Sequence, residues 1–295
     1  MSVTNEAEDM AATARYRFLL IQAFRLPEDS PYRHRRIGAA REQALMNFDF
    51  VGPLLQDVDW EVHAGALTTY GDWAVETRAE FAFSAAARLP LVREACESGK
   101  YNAIVLLGGG EPGFLESCEI ARPFGIPVTS CAFSQMHYAT MLGNKFSVID
   151  LAENHNMYYY NLVIQHRMAD RCASIRMINF PHERPGHEVE RQFHVERDKA
   201  RRGEFSVAVE EAVEAAVAAI EEDGAEVITL GCSGTFWLQP ILQRRLNELG
   251  WEVPVLEGYR CAITLAKSLV DMGLTASGLT FPDVRPRRWR KKKVF

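Results

Sequence analysis

One arrangement occurs twice in this chain and restricts its fold more than any other feature. Ala103-Ile-Val-Leu-Leu-Gly-Gly-Gly, a helical pattern and Gly125-Ile-Pro-Val follow one another in the first half. In the second half the order is Ala225-Glu-Val-Ile-Thr-Leu-Gly-Cys-Ser-Gly, a helical pattern and Glu252-Val-Pro-Val. Each copy reads strand, glycine-rich turn, helix, strand. Short apolar runs alternating with helical periodicity specify βαβ units, whose crossovers are right-handed and whose sheets are parallel. The expected fold is therefore α/β, with two pseudo-symmetric, doubly wound parallel-sheet domains. Their loops at the carboxyl ends of the strands should meet across an interdomain active site.

Strands are expected at 16–24, 60–64, 103–107 and 127–131, and again at 146–151, 175–180, 226–230 and 253–256. Apolar residues at three- and four-residue spacing predict helices over 75–98, 154–170, 207–223, 237–249 and 259–272. The domains are then 1–143 and 144–284, with the last helix free to pack back onto the first half, and a basic tail at 285–295. The stretch 181–204 is rich in charge and poor in apolar residues, and reads as a polar connection or a functional lid.

At 295 residues, with 47% hydrophobic and 24% charged side chains, the chain is long and apolar enough for two cores and is not a disordered polymer. A net charge of -6 gives no overall basic field for a polyanion, so no nucleic acid is expected as a partner. No apolar run is long enough to cross a membrane, and the first residues are acidic and polar, so the expected location is the cytoplasm. The six cysteines stand singly, without metal-ligand spacing. They read as free thiols, and neither a metal nor a cofactor is expected. A homo-oligomer is expected.

Chemistry is expected first at Leu230-Gly-Cys-Ser-Gly-Thr, which puts Cys232 at the end of a buried strand and before a helix. Unpaired N–H groups at a helix start favour a thiolate. Ser233, Gly234 and Thr235 add hydroxyls and a tight turn. Gly108, Gly109 and Gly110 occupy the matching place in the first half. Consecutive glycines before a helix suit a carboxylate or an oxyanion, while the order lacks the marks of a nucleotide loop.

These stretches resemble the aspartate/glutamate/hydantoin racemase superfamily, nearest its hydantoin racemase branch. The resemblance covers most of the chain and is carried by Gly110-Glu-Pro-Gly, Ile126-Pro-Val, Leu142-Gly-Asn-Lys-Phe-Ser-Val, Ser174-Ile-Arg, the run from Gly224 to Gly234, Glu257-Gly and Gly273-Leu-Thr-Ala-Ser. It implies a cofactor-free enzyme with a cysteine from each domain on either side of a substrate carbon. The carbon is α to a carboxylate or amide carbonyl, and an enolate-like intermediate forms. The partner so implied is a small carboxylate or cyclic amide.

Cys232 matches the second cysteine of that pattern, but Gly108 stands where the first belongs. A glycine exchanges no proton. Racemase or isomerase chemistry is therefore weighed against a one-cysteine decarboxylase of a malonate-like acid, similar to arylmalonate decarboxylase, and against a non-catalytic small-ligand-binding protein. Cys131, Glu111 and His137 are candidates for a second base. Thr129, Ser130 and Gln22 are candidates for binding a substrate oxygen. The early turn Gln22-Ala-Phe-Arg-Leu-Pro differs from the family's usual Asn-Pro-Asn.

Overall fold

A computed structural model of the chain describes residues 14–33, 45, 47–282, 284, 288, 290 and 291. The polar N-terminal stretch up to residue 13, and the basic tail apart from Arg288, Arg290 and Lys291, lie outside the described residues.

Two parallel sheets form the frame. The first contains β1 (Tyr16–Ile21), β2 (Val58–His63), β3 (Ala103–Leu106) and β4 (Val128–Ser130) in the order β2-β1-β3-β4. The second contains β5 (Phe146–Asp150), β6 (Cys172–Met177) and β7 (Val227–Leu230) in the order β6-β5-β7. Beside β7, Val255 makes a single parallel bridge to Ile228, in the place that β4 holds beside β3. Replacing β1, β2, β3 and β4 by β5, β6, β7 and this bridge reproduces the same order.

The strand expected at 253–256 is thus reduced to one bridge. Ile228 N–H donates to Pro254 O and Leu256 N–H to Ile228 O, but Pro254 has no N–H with which to extend the ladder. The strand expected over 127–131 also ends early, because Cys131 already opens a helix.

Every residue of β3, β5 and β7 is buried, as expected for strands covered on both faces. The cover comes from α1 (Phe48–Val51), α2 (Arg78–Glu97), α3 (Phe114–Ala121), α4 (Cys131–Leu142), α5 (Glu153–Gln165), α6 (Phe193–Arg201), α7 (Val207–Glu221), α8 (Gln239–Glu248) and α9 (Gly258–Asp271). Local signals set their starts. Thr77 and Glu80 form a capping box at the head of α2, and Ser206 accepts the Val209 N–H at the head of α7. The α7 face Ala208, Ala212, Ala216 and Ala219 follows helical spacing and is fully buried.

One apolar cluster joins Leu20 and Val105 of the first sheet to Ile149 and Ile228 of the second. Helix α9 packs on β3, β4 and α4, returning the end of the chain to the first sheet. The approach is close: a Cβ on Gly258 would lie 2.4 Å from the Phe236 ring and 2.7 Å from Cys131 Cβ. No helix among the described residues is long and apolar enough to cross a membrane.

Candidate active site

The carboxyl ends of β3 and β7 bring the two glycine-rich turns into contact. A Cβ on Gly109 would fall 1.7 Å from Gly231 O, and a Cβ on Gly231 would fall 2.4 Å from Asp150 Cγ. Only glycine allows the two loops and the β5 terminus to meet there. Gly108 has φ +109, a left-handed conformation that glycine adopts without strain.

Behind the first loop lies Arg88, fully buried and in no salt bridge among the described residues. It donates to Leu107 O at 2.6 Å, Pro112 O at 3.0 Å and Ile21 O at 3.4 Å, and so ties the loop to β1. Burial lowers its pKa to about 10.

Cys232 follows β7 and starts the 3-10 turn Ser233–Leu238. Its N–H donates to Asp150 Oδ1 at 2.8 Å, and the same oxygen accepts the Leu151 N–H at 2.8 Å. The other oxygen, Oδ2, lies 2.6 Å from Nδ1 of His155, on the first turn of α5. Asp150 and His155 are both buried. Burial opposes the charge on each, but their mutual attraction and hydrogen bonding prevail. Asp150 is held below its ordinary carboxylate range and His155 well above that of an ordinary imidazole.

His155 lines the same cleft as Cys232, and its positive charge acts on the thiol. The sulfur receives the Gly234 N–H at 3.4 Å and lies 4.0 Å from His182 Nε2. Burial raises the pKa of this thiol, yet His155 first and His182 second outweigh it and bring it down to about 6. The two imidazoles thus favour the thiolate form of Cys232.

The cleft around it has a volume of about 220 Å3. Gln22, Gly108, Gly109, Gly110, His155, Cys232, Ser233 and Gly234 line it, with Phe24, Val75, Phe81, Val189, Phe193 and Trp237 as apolar walls. Its cover is the stretch after β6. Pro181, His182, Glu183 and Gln192 face the cleft, as do Phe193, His194 and Arg197 of α6. This strap crosses to the head of α2. His182 N–H donates to Glu76 Oε1 at 2.7 Å, and Arg184 pairs with Glu76 at 3.3 Å and Glu80 at 3.2 Å. Glu80 also accepts from Trp73 Nε1 and from the N–H groups of Glu76 and Thr77. Its burial opposes ionisation, but these donors bring its carboxyl down to about 2.

Several expected site residues lie elsewhere. Thr129 donates to Ala262 O, and Thr235 donates to Cys232 O as part of the turn. Ser130 donates to Glu111 Oε2 at 2.5 Å. Glu111 also accepts the Phe133 N–H at 2.9 Å and pairs with buried His166, so its carboxylate faces inward as an anchor of the loop. Cys131 gives its S–H to Leu106 O at 3.6 Å. Burial raises the Cys131 thiol well above its ordinary range. His137 Nδ1 is 2.7 Å from Phe133 O one turn earlier, and burial lowers its pKa. None of these six lines the cleft.

Sequence reasoning missed Asp150, His155 and His182. Asp150 ends the strand next to the cysteine-bearing β7, and a histidine five residues on is the only local signal. His182 lies in the strap, whose composition marks it as polar and nothing more.

Among the described residues no group of three or more His, Cys, Asp or Glu is arranged to hold a metal ion.

Two parallel α/β sheets meeting at a cleft are the fold of racemases among solved structures. Allantoin racemase from Klebsiella pneumoniae is 26% identical and superposes with a TM-score of 0.64 over 92% of this chain and 95% of that one. Hydantoin racemase from Pseudomonas sp. (strain NS671) is 27% identical over 199 residues, which is 65% of this chain and 68% of the relative. A double mutant of arylmalonate decarboxylase in its liganded form shares the fold, with a TM-score of 0.54 at 15% identity over 89% of this chain and 96% of that one. A sequence profile of the Asp/Glu/Hydantoin racemase family matches residues 74–266, and the chain belongs to that family. It is an enzyme of the racemase and isomerase superfamily.

Proposed function

We propose that the protein is a cofactor-independent enzyme that moves a proton at a carbon α to an amide or carboxylate carbonyl, with Cys232 as the proton carrier. The observation that carries this reading is the place of Cys232 in the cleft, its sulfur receiving the Gly234 N–H and lying 4.0 Å from His182 Nε2. A base with a pKa near the working pH exchanges protons most effectively. Cyclic ureides, the substrates named for the hydantoin and allantoin racemases, are the class to test first. Cys232 takes the α hydrogen, and charge moves to the carbonyl oxygen as an enolate forms. We assign the walls at Gly109, Gly110, Ser233 and Gly234 to that oxygen, since electrostatic stabilisation at this point is usually the largest catalytic contribution.

A second reading is favoured by two observations on the opposite wall. Gly108 carries no side chain, and His182, at 4.0 Å from Sγ, is too near Cys232 to stand across a substrate carbon. Two groups sandwiching a carbon, each at about 3–3.5 Å, stand roughly 6–7 Å apart. Delivery from one face suits an enzyme that decarboxylates a malonate-like acid and protonates the resulting enolate.

The test is incubation in heavy water with each enantiomer of a 5-substituted hydantoin, and separately with an arylmalonate. Following α-deuterium by NMR and product handedness by chiral chromatography separates the readings. Exchange with loss of handedness supports racemisation, and carbon dioxide release with one labelled enantiomer supports decarboxylation. Neither reaction, or a Cys232→Ala variant that retains either one, refutes the proposal.

A further inference from the structure

A proton carrier needs only a suitable pKa and a clear line to its substrate. The group around Cys232 has more than that. His155 Nδ1 is engaged by Asp150 at 2.6 Å, which leaves Nε2 to serve the thiol that lines the same cleft. Asp150 is itself fixed by the N–H groups of Leu151 and Cys232, both at 2.8 Å. Nucleophile, base and orienting carboxylate thus meet at one cleft, a set of groups that supports covalent catalysis on unrelated folds.

We propose that the protein also catalyses acyl transfer, with Cys232 accepting the acyl group of an aryl ester as a thioester and passing it to water. In the first step Sγ bonds to the ester carbonyl carbon, and its oxygen becomes an oxyanion. The carbonyl re-forms, the carbon–oxygen bond to the aryloxy group breaks, and the leaving oxygen takes the proton from His155. In the second step water attacks the thioester carbon while neutral His155 removes its proton. The carbon–sulfur bond then breaks, returning a carboxylic acid and the thiolate–imidazolium pair. Ester and water are consumed, acid and phenol are formed, and no oxidant or further reactant enters.

The surroundings fit both steps. In the resting state the Gly234 N–H donates to Sγ at 3.4 Å. Once sulfur is acylated its negative charge is gone, and this donor is freed one bond away from the developing oxyanion. A Cβ at Gly234 would lie 3.5 Å from Sγ, so glycine leaves the approach to the sulfur open. Phe24, Phe81, Phe193 and Trp237 on the apolar walls suit an aromatic acyl or aryloxy group. The activity uses the site of the proposed reading but not its chemistry, because an ester without an α hydrogen forms no enolate.

The probe is 4-nitrophenyl benzoate, which has no such hydrogen. The expected result is a burst of nitrophenolate equal to one per chain, then steady turnover, with a benzoyl group on the Cys232 peptide after acid quench. Cys232→Ser removes both phases. His155→Gln slows turnover by at least about 100-fold, as loss of a general acid–base does. Cys172→Ala, outside the cleft, leaves both phases unchanged. If His155→Gln does not fold, the native enzyme's acylation rate against pH serves instead, and should rise through a single inflection near pH 6. Benzoylation without turnover, turnover that survives His155→Gln, or a pH profile like that of a free thiol overturns the inference. Failure here beside intact α-hydrogen exchange sinks acyl transfer alone, and the reverse outcome sinks only the α-proton reading.

Discussion

Replacing His155 by Gln isolates the force that ionises Cys232. The thiol is brought from its ordinary 9.0 to about 6 against the opposing effect of burial. That interval is worth roughly 4 kcal/mol in favour of the thiolate. With the imidazolium gone, only His182 is left to oppose burial, and the pKa should return to near 9. At pH 7 the thiolate fraction then falls from about nine-tenths to about one-hundredth, a ratio of ~90. The rate of alkylation by iodoacetamide does not follow this ratio, because a thiolate gains roughly 15- to 30-fold in intrinsic nucleophilicity over the same interval. The net loss at pH 7 is only about three- to six-fold, which a modest steric change could imitate. The inflection itself decides the matter. Thiolate absorbance in the ultraviolet, titrated from pH 4 to 10 with Cys232→Ala subtracted, should show one step near 6 in the native protein and near 9 in the variant. An unmoved step would refute the claim that His155 ionises the thiol.

Gly109→Ala should cost about 1–3 kcal/mol in denaturant unfolding and impair the cleft, since its Cβ meets Gly231 O, a backbone atom that cannot turn aside; native-like stability would contradict the loop contact. Gly108→Cys alone should give no racemising gain, because φ +109 strains a side chain and its Cβ lies 2.8 Å from Ala23 Cβ. Paired with Ala23→Gly it should introduce hydrogen exchange on a second face, read as deuterium in both enantiomers. Glu257 is held protonated by burial, with its pKa raised from 4.5 to about 8. The unfolded chain ionises it first, so its contribution to stability is whole below about pH 4.5 and is lost as pH rises to about 8. Glu257→Gln should remove that decline in a series of melting temperatures, and an identical pH profile would show the carboxyl to be solvated.

The duplicated frame was legible because parallel strands buried on both faces leave continuous apolar runs, and because Gly-rich turns punctuate both halves at the same place. The place of Cys232 at a strand end beside the cleft was legible for the same reason, from its position between Leu230-Gly and Ser-Gly. Its partners were not. The contact of Cys232 with Asp150 spans 82 residues and that with His182 spans 50, and no spacing rule joins such positions. Glu111, Ser130 and Cys131 misled because short polar residues at a strand terminus face either a cleft or the packing behind it. The choice depends on where α4 and α5 place Phe133 and His166, which sequence pattern does not express. The helix opening at Cys131 was missed because Thr129, Ser130 and Cys131 read as the end of a strand.

Glu80 holds two positions at once. Its carboxylate completes the capping box of α2, and it also receives Arg184 from the strap that covers the cleft. The head of a helix in one half therefore shares a charge with a segment that leaves the sheet of the other, so lifting the strap unbalances a helix terminus on the far side of the site. Amide hydrogen exchange at residues 77–81 should slow when a ligand fills the cleft, although none of these amides need touch it. The first turn of α2 then serves as a remote gauge of occupancy, usable before the substrate's identity is settled.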